Sequence, residues 1–109
     1  MATDGAFAEY VLGQIAGAGV VSARKLFGEY AVYCDGKAVL LLCDNRCFLK
    51  PTAATADQVA ELPAAPPYPG AKPQPVLDEW LDDVTRMTDL VRDTAAALPT
   101  PKPKKKRAR

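Results

Sequence analysis

The chain has no histidine among its 109 residues. That absence removes a Ser-His or Cys-His nucleophile pair, a His-ligated zinc site and a His-based pH switch. Cysteine is scarce as well, with three residues at 34, 43 and 47. On paired strands Cys34 and Cys43 fall beside opposite turns, roughly 20 Å apart and far beyond disulfide reach. Cys43 and Cys47 flank one turn with parities that place them on opposite sheet faces, a poor chelate. All three read as reduced, small hydrophobic side chains. No apolar run approaches the length of a membrane span, and no basic region followed by an apolar stretch opens the chain, so the expected location is the cytoplasm. No GxxxxGK[ST] phosphate loop occurs, since Gly13, Gly17 and Gly19 are not followed by Gly-Lys-Ser/Thr. No cofactor or metal is expected.

What is present is one domain's worth of residues, 49% hydrophobic and 25% charged. This suits a single compact fold over residues 1–98 followed by a basic tail over 99–109. The net charge of +1 hides an asymmetry. Lys102, Lys104, Lys105, Lys106, Arg107 and Arg109 hold six of the fourteen basic residues, leaving eight against thirteen acidic ones, a net −5 for residues 1–101. An acidic body does not attract a phosphate backbone as a whole, so nucleic-acid contact falls to the tail or to a local patch. The tail cannot bury apolar surface and is expected to be disordered. Pro103-Lys-Lys-Lys-Arg reads as a string like a nuclear import signal. The expected use is instead binding of nucleic acid or another polyanion without sequence preference, with a solubilising extension as the alternative.

Two turn signals, Asp35-Gly36 and Asp44-Asn45, cut residues 24–50 into three strand-length pieces. Both pairs tolerate the positive φ of a type I′ turn, and the pattern predicts a three-stranded antiparallel meander. Counting outward from two-residue turns assigns the faces. Ala31, Tyr33, Ala38, Leu40, Leu42, Cys47 and Leu49 form the predicted bed for helices, and a bulge at Gly28 is the one irregularity allowed for. The other face carries Tyr30, Val32, Val39, Leu41 and Phe48 at its centre, rimmed by Lys37, Arg46 and Lys50. An apolar centre on a face expected to meet water predicts a partner-binding or self-association surface, unless another segment covers it.

Asp4 caps a predicted helix through about Gly17, with Phe7, Val11, Leu12 and Ile15 on one stripe. Thr52 or Thr55 could cap a short second helix ending near Leu62. The Pro-rich stretch from Pro63 to Pro75 is expected to be an ordered excursion that pairs at most at the sheet edge. Asp78 opens the longest predicted helix, whose stripe is Leu77, Leu81, Val84, Met87 or Thr88, Val91, Ala95 and Leu98. Glu79, Asp82, Asp83 and Asp89 interleave with that stripe and read as its solvated face rather than a metal cluster. Tyr68 and Trp80 could stack on a ligand or pack under the Pro-rich loop. Glu29 could pair with Arg24 or Lys72, or reach the sheet edge. The fold class is α+β in two layers, an antiparallel meander with helices on one face.

Four segments in order carry a family likeness: Arg24-x-Leu26-Phe27-Gly28, Tyr33-x-Asp35-Gly36-Lys37, Phe48-Leu49-Lys50-Pro51 and Pro67-Tyr68-Pro69-Gly70-Ala71-Lys72-Pro73. Together they resemble the N-terminal domain of the TfoX/Sxy competence regulators over about residues 5 to 98. Many relatives carry Met where Leu26 stands, a volume-conserving change. Full-length regulators of that family continue into a second domain where this chain carries its basic tail. The resemblance implies a non-enzymatic regulatory or interaction module. In the full-length relatives, regulation means promoting expression of DNA-uptake genes alongside a cyclic-AMP-responsive activator. The reading from a different class is a small-molecule-binding or enzymatic domain, with Cys34, Tyr68 or the carboxylates in a cleft by the Pro-rich loop.

Overall fold

A computed structural model describes residues 3–99, and the basic tail lies outside the described residues. The domain is α+β, with a four-stranded antiparallel sheet of order β1-β2-β3-β4 and two α-helices on one face. The strands are β1 (Val21–Leu26), β2 (Glu29–Cys34), β3 (Lys37–Cys43) and β4 (Arg46–Leu49). The helices are α1 (Gly5–Gln14) and α2 (Val84–Ala97). Asp35-Gly36 and Asp44-Asn45 form the expected turns, with φ of +53° and +83° in the first and +55° and +57° in the second.

The meander has one strand more than the sequence predicts. β1 is joined to β2 by Phe27-Gly28, whose φ values of +52° and +86° make it a third turn with two positive-φ residues. A bulky aromatic residue is a poor occupant of the left-handed region, so turn propensity gives no sign of it there.

The bulge lies in β3, not at Gly28. Val32 pairs with Leu40 and Tyr33 with Ala38, so Val39 is an extra residue with no partner of its own. One extra residue reverses the parity of everything in β2 beyond it relative to β3. Tyr30, Val32 and Cys34 therefore join Leu40, Leu42, Cys47 and Leu49 against the helices, and Val39 is buried there too. Ala31 and Tyr33, expected under the helices, pair with Leu41 and Ala38 on the opposite face.

The core cluster combines those strand residues with Ala8, Val11 and Ile15 of α1 and Met87, Leu90, Val91 and Ala95 of α2. Ionic and polar ties fix the helices to it. Lys37 Nζ donates to the Ala95 carbonyl at 2.9 Å, placing a cation at the α2 C-terminus where the helix dipole favours one. Gln14 Nε2 donates to the Leu81 carbonyl at 2.7 Å, and the Thr88 hydroxyl to the Gln14 carbonyl at 3.2 Å, locking α1 to α2 and its approach.

Three helix boundaries differ from the expected ones. α1 ends at Gln14 and gives way to a 3₁₀ turn over Ala16–Ala18. The segment after Thr52 forms a 3₁₀ turn, Ala53–Thr55, and then irregular turns, because its backbone bonds are mostly between residues three apart. Thr52 is the cap there, accepting the Thr55 N–H. Asp78 opens only a 3₁₀ turn, Asp78–Trp80, and α2 starts at Val84 with Asp83 accepting the Arg86 N–H. The reason is that the Asp78 carboxylate is engaged elsewhere: it accepts the Cys47 N–H at 2.8 Å and faces Arg46 Nε at 3.3 Å. Val84 is consequently exposed and Leu90, absent from the predicted stripe, is fully buried.

The Pro-rich excursion folds back across the far face of the sheet. Its ends pair as β5 (Ala64–Ala65) and β6 (Gln74–Pro75), and a bridge from Phe48 to Val76 joins it to the β4 edge. The Leu77 N–H adds a bond to the Cys47 carbonyl at 2.8 Å. Among the described residues, no helix is long and apolar enough to cross a membrane.

Asp78 holds the edge strand to the segment that returns the chain to α2, so its loss should loosen both. Asp78→Ala is expected to cost about 1–2 kcal/mol in urea unfolding, because it strands a partly buried backbone N–H. Asp78→Asn keeps an acceptor and should recover most of that.

Candidate interaction surface

The five residues expected to form one interaction face do not share a face. Val32 and Val39 are fully buried in the helix-side core, and Tyr30 packs partly buried against it. Phe48 lies on the other face, but Val76 and Ala65 of the Pro-rich excursion cover it together with Cys43. Of the five, Leu41 and Tyr30 border an open hollow, Leu41 from the far face. The physical reason is the bulge at Val39, together with a covering segment that composition alone cannot aim.

An exposed apolar surface does exist toward the far face, built mostly from other residues. Leu26, Phe27, Glu29, Tyr30, Leu41, Cys43 and Tyr68 line a groove of about 350 Å³ whose walls are almost wholly apolar. Leu26 is 45% exposed, Tyr68 57%, and Phe27 is as exposed as a free side chain. A second hollow adjoins it beneath Pro66, Pro67 and Pro69, and Tyr68 and Glu29 line both. The outer parity of β1 and β3 places Leu26 and Leu41 there, the Phe27-Gly28 turn projects the ring of Phe27, and the Pro-rich excursion carries Tyr68 across.

Phe27 is the anomaly of the surface. Its left-handed backbone costs a non-glycine residue about 1–2 kcal/mol, and its ring is left in water. Neither feature helps the isolated domain fold. Gly28 suits a positive φ, but with Phe27 before it the pair reads as a bulge rather than a two-residue turn.

Glu29 anchors the groove's polar end. Its Oε1 accepts the Thr3 hydroxyl at 2.5 Å and the Asp44 N–H at 3.0 Å, and Thr3 Oγ1 accepts the Asn45 N–H at 3.2 Å. The partners weighed for it, Arg24 and Lys72, are not the ones it uses. Burial pushes the Glu29 carboxyl up, but the hydrogen bonds from Thr3 and Asp44 outweigh it and leave the group below the usual glutamate range.

The thiols are shielded. Cys34, Cys43 and Cys47 are free and buried, and burial raises all three above the ordinary thiol value. A raised thiol carries little thiolate at neutral pH and is a poor nucleophile. Cys47 faces the helices and Cys43 the Pro-rich excursion, on opposite sides of the sheet as parity predicts.

Three of the acidic residues near α2 have structural partners. Asp82 accepts the Tyr10 hydroxyl, which raises the pKa of that phenol, Asp83 caps the helix, and Asp89 meets Arg92 at 3.1 Å. Among the described residues, no group of three His, Cys, Asp or Glu side chains is placed to hold a metal ion. Trp80 stacks under Arg86, whose guanidinium carbon lies 4.6 Å from the ring centre.

The comparison with family models joins this architecture to the four sequence segments. The model described as TfoX N-terminal domain matches residues 13–98. The chain belongs to the TfoX N-terminal domain family. The match takes in the whole sheet, the Pro-rich excursion and α2, and therefore every residue of the groove. The chain is also similar to a protein of Spirochaeta aurantia described as an uncharacterized 12.7 kDa protein in the trpE 5′ region. The two are 47% identical over 105 residues, covering 96% of this chain and 91% of that protein. Membership of the TfoX N-terminal domain family supports a regulatory or interaction role in general terms.

The depressed carboxyl of Glu29 gives the acid limb of stability a definite sign. A carboxyl lowered on folding stabilises above its unfolded pKa, about 4.3, and that contribution is lost as pH falls through the lower folded value. Glu29→Gln is therefore expected to be less stable than wild type at pH 7, with the difference shrinking below about pH 4. Thermal melts of both proteins across that range measure it.

Proposed function

We propose that this TfoX N-terminal domain is a non-enzymatic regulatory module that works by docking a protein partner on the groove flanked by Leu26, Phe27, Leu41 and Tyr68. The observation that carries the reading is Phe27, a fully exposed ring held at positive φ beside an apolar groove. Strain and exposure of this kind persist where a surface serves something other than its own fold. Exposed aromatic residues around a concave apolar centre are the composition of a binding hot spot. The partner's contribution is an apolar or aromatic side chain of a size to enter about 350 Å³. Regulation of transcription, as in the family's competence regulators, is the setting in which we place the module, in the cytoplasm.

A catalytic or small-molecule cleft by the Pro-rich loop is the reading from the other class. It would need converging polar groups in the groove. Glu29 is the carboxylate there, and Thr3 and Asp44 already occupy it. The Cys34 thiol is fully buried on the opposite side of the sheet.

The basic tail supplies the second half of the proposal. Lys102, Lys104, Lys105, Lys106, Arg107 and Arg109 follow a body of opposite charge. They would give affinity for nucleic acid through counterion release, without base selectivity.

Two experiments test these parts. In affinity capture, Leu41→Lys should weaken partner binding by about tenfold or more. Phe27→Asn should weaken it too while raising stability by about 1 kcal/mol, since Asn-Gly suits the turn that Phe-Gly strains. Unchanged capture by both variants would remove the groove from consideration. In duplex titrations, binding should fall with salt at a log–log slope no steeper than about −5, as expected for six cations, and vanish when residues 100–109 are deleted. Sequence-selective binding by the tail-less domain would show that the folded body reads DNA itself.

A further inference from the structure

The two edges of the sheet are not alike. The β4 edge is closed by the Phe48–Val76 bridge and the Leu77 bond to the Cys47 carbonyl. At the β1 edge, the Phe27-Gly28 turn makes Leu26 and Glu29 a hydrogen-bonded pair, so even-numbered residues of β1 bond to β2. The Asp35 N–H bond to the Val20 carbonyl at 2.8 Å continues the same alternation. Val21, Ala23 and Lys25 therefore turn their N–H and C=O groups outward, and among the described residues no backbone group outside the β1–β2 ladder meets them. A six-residue open edge is a template for another strand.

We infer that two copies of this chain pair antiparallel along β1, Ala23 against Ala23 of the second copy, to form a symmetric dimer with one continuous eight-stranded sheet. This inference rests on the open strand edge and shares only Leu26 with the groove. A twofold axis normal to the sheet keeps like faces together, so the paired residue numbers must sum to an even value. Three registers use the strand well, centred on residue 22, 23 or 24, and the side chains distinguish them. Centring on Arg24 opposes two guanidinium groups at the close, non-hydrogen-bonded spacing, which is destabilising. Centring on Ser22 sets Val20 against Arg24 and leaves Leu26 past the end of the pairing. Centring on Ala23 puts the smallest side chain of the strand on the axis and opposes Arg24 to Ser22 and Lys25 to Val21, with no like charges face to face.

The same register pairs Val20 with Leu26 twice. These two are 77% and 45% exposed; Val20 immediately precedes β1 and Leu26 closes it, and the Asp35 bond to the Val20 carbonyl carries the alternation that sets both on the same face. Each copy thus covers the exposed apolar residue of the other at both ends of the seam. Val21, Ala23 and Lys25 gain a full set of ladder bonds. The two Arg24 side chains become diagonal neighbours, so added salt should tighten the dimer by screening them.

The test uses the full chain. Sedimentation at rising protein concentration should show a monomer–dimer equilibrium that salt strengthens. Ala23→Pro removes an outward N–H that no intrachain bond uses, at an edge position where proline is tolerated. It should weaken the dimer by about tenfold or more, with an unchanged melting curve at dilutions where both proteins are monomeric. The double variant Val20→Cys, Leu26→Cys should oxidise to a covalent dimer, because that pair sits at the close spacing of about 4.5 Å between Cα atoms, within disulfide range. Each single variant should cross-link far less. Retained partner capture by Ala23→Pro would separate this surface from the groove, whose Phe27, Leu41 and Tyr68 it leaves intact. A strictly monomeric protein, a folded Ala23→Pro that dimerises as well as wild type, or single variants that cross-link as readily as the double would each overturn the inference.

Discussion

One extra residue in β3 governs which side chains of this domain are inside. Val39 has no partner in β2, and from that point the pairing runs Val32 to Leu40 and Tyr30 to Leu42. The bulge lets Val32, Cys34, Val39, Leu40 and Leu42 all meet the helices, a denser apolar bed than strict alternation would supply. It also lets Lys37 reach the Ala95 carbonyl in the last turn of α2 while Leu40 remains in the core. Without it, one face would hold Tyr30, Val32 and Val39 in water. The helices would then close over Ala31 and Tyr33 instead.

The second layer of constraint is the path from β4 to α2. A carboxylate that would make a good helix cap is spent on a strand N–H, so Asp78 ties β4 to the returning chain and the helix waits for Asp83. That choice draws the Pro-rich excursion over Phe48 and Cys43 and closes one sheet edge. Proline suits this path because the excursion contributes only two-residue strands and needs few donors. What it leaves uncovered is the end of the face nearest the Phe27-Gly28 turn, where Leu26, Leu41 and Tyr68 border the groove.

The domain therefore presents two unfinished surfaces at different places on one sheet: an apolar groove with a strained aromatic beside it, and an open strand edge. The first has side-chain chemistry and no backbone pairing to offer, whereas the second has backbone pairing with modest side chains. Such a division suits a small regulatory module in which self-association and partner choice are separate events. Shielded thiols and a carboxylate already tied by Thr3 and Asp44 fit that picture.

Much of this was legible in the chain. The Asp35-Gly36 and Asp44-Asn45 turns, the parity of β3 from Leu40 onward and of β4, the α1 stripe and the family likeness all rest on local chemistry: residues that tolerate positive φ, and apolar spacing along one element. The four segments of the likeness are likewise short-range patterns. Three things were not legible. Phe27 in a left-handed turn contradicts its own propensity, so β1 went unseen. The bulge at Val39 leaves no compositional mark, because Lys37 to Cys43 is apolar enough to satisfy either register. The destination of the Pro-rich excursion depends on Asp78 meeting a strand thirty-one positions earlier. Sequence by itself determined the elements and their turns, since those follow from neighbours along the chain. Only the tertiary structure decided which face of β2 is buried and which apolar residues stay in water, because both depend on register and cover supplied by segments distant in sequence.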